Sequence, residues 1–164
     1  MSELATLRCC ALYNVDVAFV IRDFKPEDFE TLWGIDQECF PPGISYSRQE
    51  LKSYVGRRGS FTLVASDPKE GSVAGFIVVH GGATGHVITI DVVKAHRRSG
   101  MGSRLLQAAE DRLRAAGYDA VGLETAVDNL AALAFYKRHG YNVIRIWPRY
   151  YSNGVDALVM KKEL

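Results

Sequence analysis

The run Arg97-Arg98-Ser99-Gly100-Met101-Gly102 decides how this chain folds. It follows a β-patterned stretch, His86 to Val93, and leads into an amphipathic helical pattern that starts at about Gly100. A strand, a short basic glycine loop and a helix N-terminus together make an anion site. First-turn N–H groups have no intrahelical partner, and the helix dipole leaves partial positive charge there. Two glycines permit close backbone approach, and the arginines add fixed charge. A Walker loop is excluded because no Gly-x-x-x-x-Gly-Lys-Ser/Thr run is present. A dinucleotide fingerprint would need a third glycine where Leu105 stands, and too little chain follows for a second mononucleotide half. Two readings stay open on the loop alone: an Arg-x-x-Gly-x-Gly pyrophosphate loop for a phosphorylated cofactor, or a strand-to-helix turn with solvated arginines.

Working outward, Val17 to Phe24 reads as a first strand. Pro26 opens a helical pattern through Phe29, Leu32, Trp33, Ile35 and Asp36 to Cys39, ended by Phe40-Pro41-Pro42-Gly43. Ser47-Arg48-Gln49-Glu50 is a capping box for a second helix to about Arg57. Phe61 to Ser66 and Val73 to His80 are strands joined by a turn-rich segment. After the glycine loop, Met101, Leu105, Leu106, Ala109, Leu113 and Ala116 recur at helical spacing until Gly117. A strand Ala120 to Thr125, a helix Asn129 to His139 closed by Gly140, and strands Val143 to Trp147 and Ala157 to Met160 complete the chain. The order β-α-α-β-β-β-α-β-α-β-β predicts an α+β fold rather than a doubly wound sheet.

The chain has 164 residues, 48% hydrophobic and 24% charged, which predicts one soluble domain. A net charge of +1 exerts no global pull toward nucleic acid or membrane, so neither is expected as a partner. Cys9, Cys10 and Cys39 have no metal-ligand spacing and suit free thiols in a reducing cytoplasm. No metal is expected, no apolar run is long enough to span a bilayer, and Met1 to Asp16 does not read as a signal peptide. Residues 1–16 are expected to form a flexible leader and residues 17–164 the domain.

Four segments carry a family resemblance. They are Gly85 to Val92 with the Arg97–Gly102 loop, and Leu123-Glu124 followed by Asn129-x-x-Ala132-x-x-x-Tyr136. The others are Arg149-Tyr150-Tyr151-x-x-Gly154-x-Asp156-Ala157-x-x-Met160, and Phe40-Pro41 after the first helix. Together they resemble the GNAT acyltransferases. Within that superfamily they resemble the protein N-terminal acetyltransferases, including the bacterial ribosomal-protein-alanine type. The resemblance covers about Val17 to Leu164. The bacterial pattern usually continues Phe-Pro-Trp, whereas here Pro42-Gly43-Ile44-Ser45-Tyr46 follows.

The resemblance implies a GNAT fold: a mixed sheet of about seven strands, splayed at the cofactor site, with helices on both faces. It implies acetyl-CoA as co-substrate. The pyrophosphate would lie on Arg97, Arg98, Ser99, Gly100, Met101, Gly102 and Ser103, and the pantetheine arm beside Ile90, Asp91 and Val92. Asn129 would contact the cofactor, or simply cap its helix. Glu124 would be the base, acting through water, with His86 sharing the relay, and Tyr136 would return a proton to the thiolate. Tyr150 and Tyr151 would hold the acceptor's first backbone groups, opposite a wall of Phe40, Pro41 and Tyr46. The implied acceptor is a protein or peptide N-terminus, a ribosomal protein among the candidates, with the enzyme a monomer or weak dimer. Freeing an α-amine at neutral pH costs only ~1 kcal/mol against ~4.6 kcal/mol for lysine, which favours the α-amine without excluding lysine. A lysine or small-molecule acceptor, or an acyl-CoA-binding module without turnover, are the alternatives.

Overall fold

The computed structural model describes residues 19–164. The expected leader 1–16, the thiols of Cys9 and Cys10, and Val17 and Ala18 of the expected first strand lie outside the described residues. Strand β1 (Val20–Asp23) leads through a 3-10 turn (Pro26–Asp28) into α1 (Phe29–Cys39). The single expected helix from Pro26 is thus split, and Asp28 ends the turn by accepting the Lys25 N–H and two Arg22 hydrogen bonds. Helix α2 (Arg48–Gly56) starts at the Ser47–Glu50 capping box. Then follow β2 (Ser60–Ser66), β3 (Val73–Gly81), β4 (Gly85–Val92), α3 (Met101–Ala115), β5 (Ala120–Ala126), α4 (Leu130–Arg138), β6 (Asn142–Trp147) and β7 (Ala157–Glu163). Strand β7 outlasts its expected end at Met160 because it is paired on both sides, to β5 and β6.

The seven strands lie in the order β1-β2-β3-β4-β5-β7-β6, antiparallel except for the β4–β5 pair. Helices cover both faces. Phe29, Leu32 and Ile35 of α1 and Leu51 of α2 pack on Val64, Phe76 and Val78. Leu105, Leu106, Ala109 and Leu113 of α3 pack on Ile77, Val79, Val87, Val121 and Leu123. Each such leucine contributes roughly 1.5–3 kcal/mol on full burial. The close approach of α3 leaves little room at Gly85, where a Cβ would lie 2.6 Å from Leu113 Cδ1 and force that side chain to shift.

Two irregularities at the centre of the sheet shape everything that follows. Val78 pairs with Thr89 but Val79 with Val87, so Ile88 is an extra residue in β4. A bulge of this kind resets the alternation of side chains. Val87, Ile90 and Val92 therefore face α3, whereas Ile88 and Asp91 face α1 and α2. Second, β5 pairs with β4 only from Gly85–Val121 to Val87–Leu123, and beyond that the two strands diverge. The splay implied by the family resemblance is present.

Candidate active site

The divergence of β4 from β5 opens a cleft of about 1120 Å³. The backbone of β4 is aimed into it. Val93 N–H donates to Ala74 O at 2.9 Å, so residues 93 and 91 make the ladder bonds to β3. By antiparallel alternation, Ile90 and Val92 turn their N–H and C=O groups the other way, toward the unpaired side.

At one end of the cleft lies the loop that precedes α3. Arg98 (φ 60°) and Gly100 (φ 83°) are left-handed, and Gly100 is the N-cap of α3. The first intrahelical bond runs from Arg104 N–H to Gly100 O at 3.0 Å, leaving the N–H groups of Met101, Gly102 and Ser103 without an intrahelical acceptor. A Cβ on Gly102 would sit 3.4 Å from the Phe135 ring, so this turn fits closely beneath α4. Arg97, Arg98, Gly100, Gly102 and Ser103 line the cleft. Ser99 and Met101 do not: the Ser99 hydroxyl donates back to His96 O at 2.5 Å, and Met101 is in the core. Arg97 is also turned back, donating from Nε to Val92 O at 2.9 Å and from Nη2 to Cys39 Sγ at 3.3 Å. Asn129 caps α4, accepting from Ala132 N–H at 3.1 Å, and still lines the cleft.

His139 escaped the sequence reading. Its Nδ1 lies 2.8 Å from Phe135 O, which can only accept, so that nitrogen carries the proton. In the neutral ring Nε2 then accepts from the Ser103 hydroxyl at 3.0 Å, fixing a side chain in the first turn of α3.

The three residues expected to handle protons, His86, Glu124 and Tyr136, come from β4, β5 and α4. His86 is the register partner of Gly122, and Glu124 stands two residues further along the same face. His86 Nε2 and Glu124 Oε2 are 2.8 Å apart, with side chains 34% and 12% exposed. Glu124 lines the cleft; His86 stands behind it. Tyr136 of α4 is buried against Phe135 and Tyr141, yet it lines the cleft and its hydroxyl makes no hydrogen bond among the described residues. Burial, and secondarily the Asp91 carboxyl, push its pKa upward, so it is a protonated phenol at neutral pH.

A tyrosine-rich groove adjoins Glu124. Tyr46 donates from its hydroxyl to Ile88 O at 3.3 Å and lines the cleft with Phe40 and Pro41. Tyr151 lines it from the other side; burial, then Tyr150 and Glu124, push its hydroxyl upward. Tyr150 lies outside the cleft proper, stacked on Trp147, and is raised by burial and then by Glu124. The two walls meet where Ser152 donates from Oγ to Gly43 O at 3.0 Å. Asp91 takes no part through its side chain, which the bulge turns toward α1.

Among the described residues, no group of three or more His, Cys, Asp or Glu could hold a metal ion. No helix there is long and apolar enough to cross a membrane.

Residues 29–141 match the Acetyltransferase (GNAT) family. An N-alpha-acetyltransferase of Sulfurisphaera tokodaii is 38% identical over 161 residues, covering 88% of this chain and 92% of its own. The ribosomal-protein-S18-alanine N-acetyltransferase of Escherichia coli superposes with a TM-score of 0.76 at 26% identity, over 88% of this chain and 93% of that one. A NatC complex bound to Gag peptide and CoA superposes with a TM-score of 0.74 at 25% identity, over 89% and 98%. With a matching family region, a splayed mixed sheet and a glycine-capped helix at the opening, the chain belongs to the GNAT acetyltransferase family.

Proposed function

We propose that this enzyme transfers acetyl from acetyl-CoA directly to the α-amine of a protein or peptide N-terminus. The observation that carries the reading is the His86–Glu124 pair at 2.8 Å, placed where the sheet opens and beside the tyrosine groove bridged by Ser152 and Gly43. The names of the similar proteins, which act on α-amines or on a ribosomal-protein alanine, point the same way.

The residues present fit an acyl-CoA. Free N–H groups of Gly102 and Ser103, with Arg98, suit its phosphates. The Ile90 and Val92 backbone suits the amides of its arm, and Asn129 retains its amide nitrogen for a contact. Acetyl-CoA supplies the acyl group as a thioester. Val92 N–H is aimed at the open side, where it would polarise the thioester carbonyl. Glu124 takes a proton from the incoming ammonium, directly or through a water, and His86 orients the carboxylate and shares the proton. Tyr136, protonated and without a competing acceptor, donates from its hydroxyl to the departing thiolate. Tyr150 and Tyr151 hold the acceptor's first backbone groups against Phe40, Pro41 and Tyr46. Ribosomal-protein N-termini are candidate acceptors.

The test uses purified protein, acetyl-CoA and peptides beginning Ala, Ser, Met or Gly, each with one internal lysine. Fragment mass spectrometry places the added acetyl. Acetyl on the α-amine is expected; acetyl confined to lysine, or no peptide product, would overturn the reading.

A further inference from the structure

His139, the C-cap of α4, joins that helix to the first turn of α3. Its ring is held at both nitrogens, with Nδ1 2.8 Å from Phe135 O and Nε2 3.0 Å from Ser103 Oγ. Ser103 stands between two surfaces. It lines the cleft with Gly102 and Arg98, and it lines a separate hollow with His139. His139 itself does not line the cleft, so it acts on a ligand there only through Ser103. The Phe135 carbonyl can only accept, so Nδ1 keeps its proton in either charge state of the ring. The bond at Nε2 is the variable one. In the neutral ring Nε2 accepts, and the Ser103 hydroxyl spends its one proton there, leaving only lone pairs for the cleft. In the charged ring Nε2 donates to Oγ over the same distance, and the Ser103 proton is released.

We propose that His139 is a positioning residue for the donor's phosphates: it takes up a proton as acyl-CoA binds, and so turns the Ser103 hydroxyl into a phosphate donor. This rests on the reading that the first turn of α3 receives those phosphates. The proton passes from solvent to Nε2, which then donates to Ser103 Oγ. The Ser103 proton, released from the ring, is donated to a phosphate oxygen beside the N–H groups of Gly102 and Ser103. No heavy-atom bond forms or breaks. Without the added proton, the serine lone pairs would lie against an anion and repel it.

The surroundings of the ring leave this role open to a ligand. His139 ends α4, where the helix dipole favours positive charge, and its ring centroid lies 4.4 Å from that of Phe135, within reach of an aromatic ring's attraction for a cation. The charged groups on the neighbouring elements are engaged elsewhere or of the same sign. Asp111 of α3 lines the hollow with His139 but accepts from Gln107 and Arg114, both at 2.8 Å. Arg104 of α3 is drawn off to Phe19 O at 2.7 Å. Lys162 of β7, whose stem passes Gly140, is paired with Glu110 at 2.6 Å. Lys137 and Arg138 precede His139 on α4 and are exposed, and β1 brings only the uncharged Ile21. Among the described residues no carboxylate bonds to His139. A bound phosphate supplies the missing counter-charge.

Calorimetry of the full-length protein with dephospho-CoA tests the coupling, because this probe lacks the phosphate monoester that itself titrates near neutrality. Titrations at about pH 7 in buffers of different ionisation enthalpy read the protons taken up per ligand bound. Wild type is expected to take up on the order of half a proton that His139→Gln and Ser103→Ala both lack. The complex holds the extra proton, so its Kd should rise about three- to tenfold between about pH 6 and pH 8, a slope the two variants largely lose. In the unliganded wild type, nitrogen-15 spectra read the tautomer without any cofactor. At alkaline pH His139 is expected as the Nδ1–H form, and an Nε2–H form overturns the inference. Binding with equal proton uptake in all three proteins overturns the coupling and leaves the cofactor reading intact. No binding of dephospho-CoA to any of them overturns the cofactor reading, and the coupling falls with it.

Discussion

In the proposed mechanism Glu124 and Tyr136 divide the proton work between a paired carboxylate and an unbonded phenol, and their substitutions should differ in kind. Glu124→Gln keeps the shape and a hydrogen bond to His86 but cannot accept a proton. It should lower kcat by about 10²- to 10³-fold while leaving the KM for acetyl-CoA near wild type, in steady-state assays with an N-terminal peptide. Tyr136→Phe removes one oxygen from a buried ring that has no hydrogen-bond partner among the described residues. It should leave thermal stability nearly unchanged and lower kcat by about 10- to 100-fold. Retained turnover in both variants would remove them from the chemistry.

The proposed cofactor surface at the start of α3 is made by a secondary-structure element. Gly100 holds φ 83° and has open space where a Cβ would project, so only backbone strain opposes a side chain there. Gly100→Ala should cost about 1–2 kcal/mol in denaturant unfolding and raise the KM for acetyl-CoA, because the left-handed cap aims the first-turn N–H groups. Much of this was legible in the sequence. The Ser47 capping box, the glycines after α3 and α4, and the period of the α3 stripe are local signals, and each element they mark is present. The long-range features were not. Alternation along β4 gives no hint that Ile88 is extra, because a bulge is fixed by the partner strand, and the orientation of Asp91 depended on it. The approach of His86 to Glu124 was legible only through the family resemblance, since it is set by parallel register between strands separated by a helix. Asp36 did leave a trace: it continues the apolar stripe Leu32, Ile35, Cys39 of α1, where a carboxylate is out of place unless it has buried work.

At the scale of the whole molecule, two carboxylates pull the pH dependence of stability in opposite directions. Asp28 is held below the usual carboxylate range, first by hydrogen bonds from Arg22 at 2.8 and 2.9 Å. Its contribution is present above the unfolded value near ~3.9 and is lost as pH falls through its lower folded value. Asp36 is raised to about 6 by burial, so the folded chain binds that proton more tightly than the unfolded chain. Stability from this group is present below ~3.9 and is lost as pH rises through about 6. Thermal unfolding should therefore show a falling midpoint between about pH 4 and pH 7 that is shallower in Asp36→Asn than in wild type. The divergence of β4 from β5 has a last consequence, for the lifetime of the protein rather than its rate. A sheet sutured at one end only consists of two half-sheets, and a donor bound as proposed along the Ile90 and Val92 backbone would act as a stitch between them. Anything that binds the folded state alone stabilises it by mass action. The cellular supply of acyl-CoA would then govern how long the catalyst survives as well as how fast it turns over.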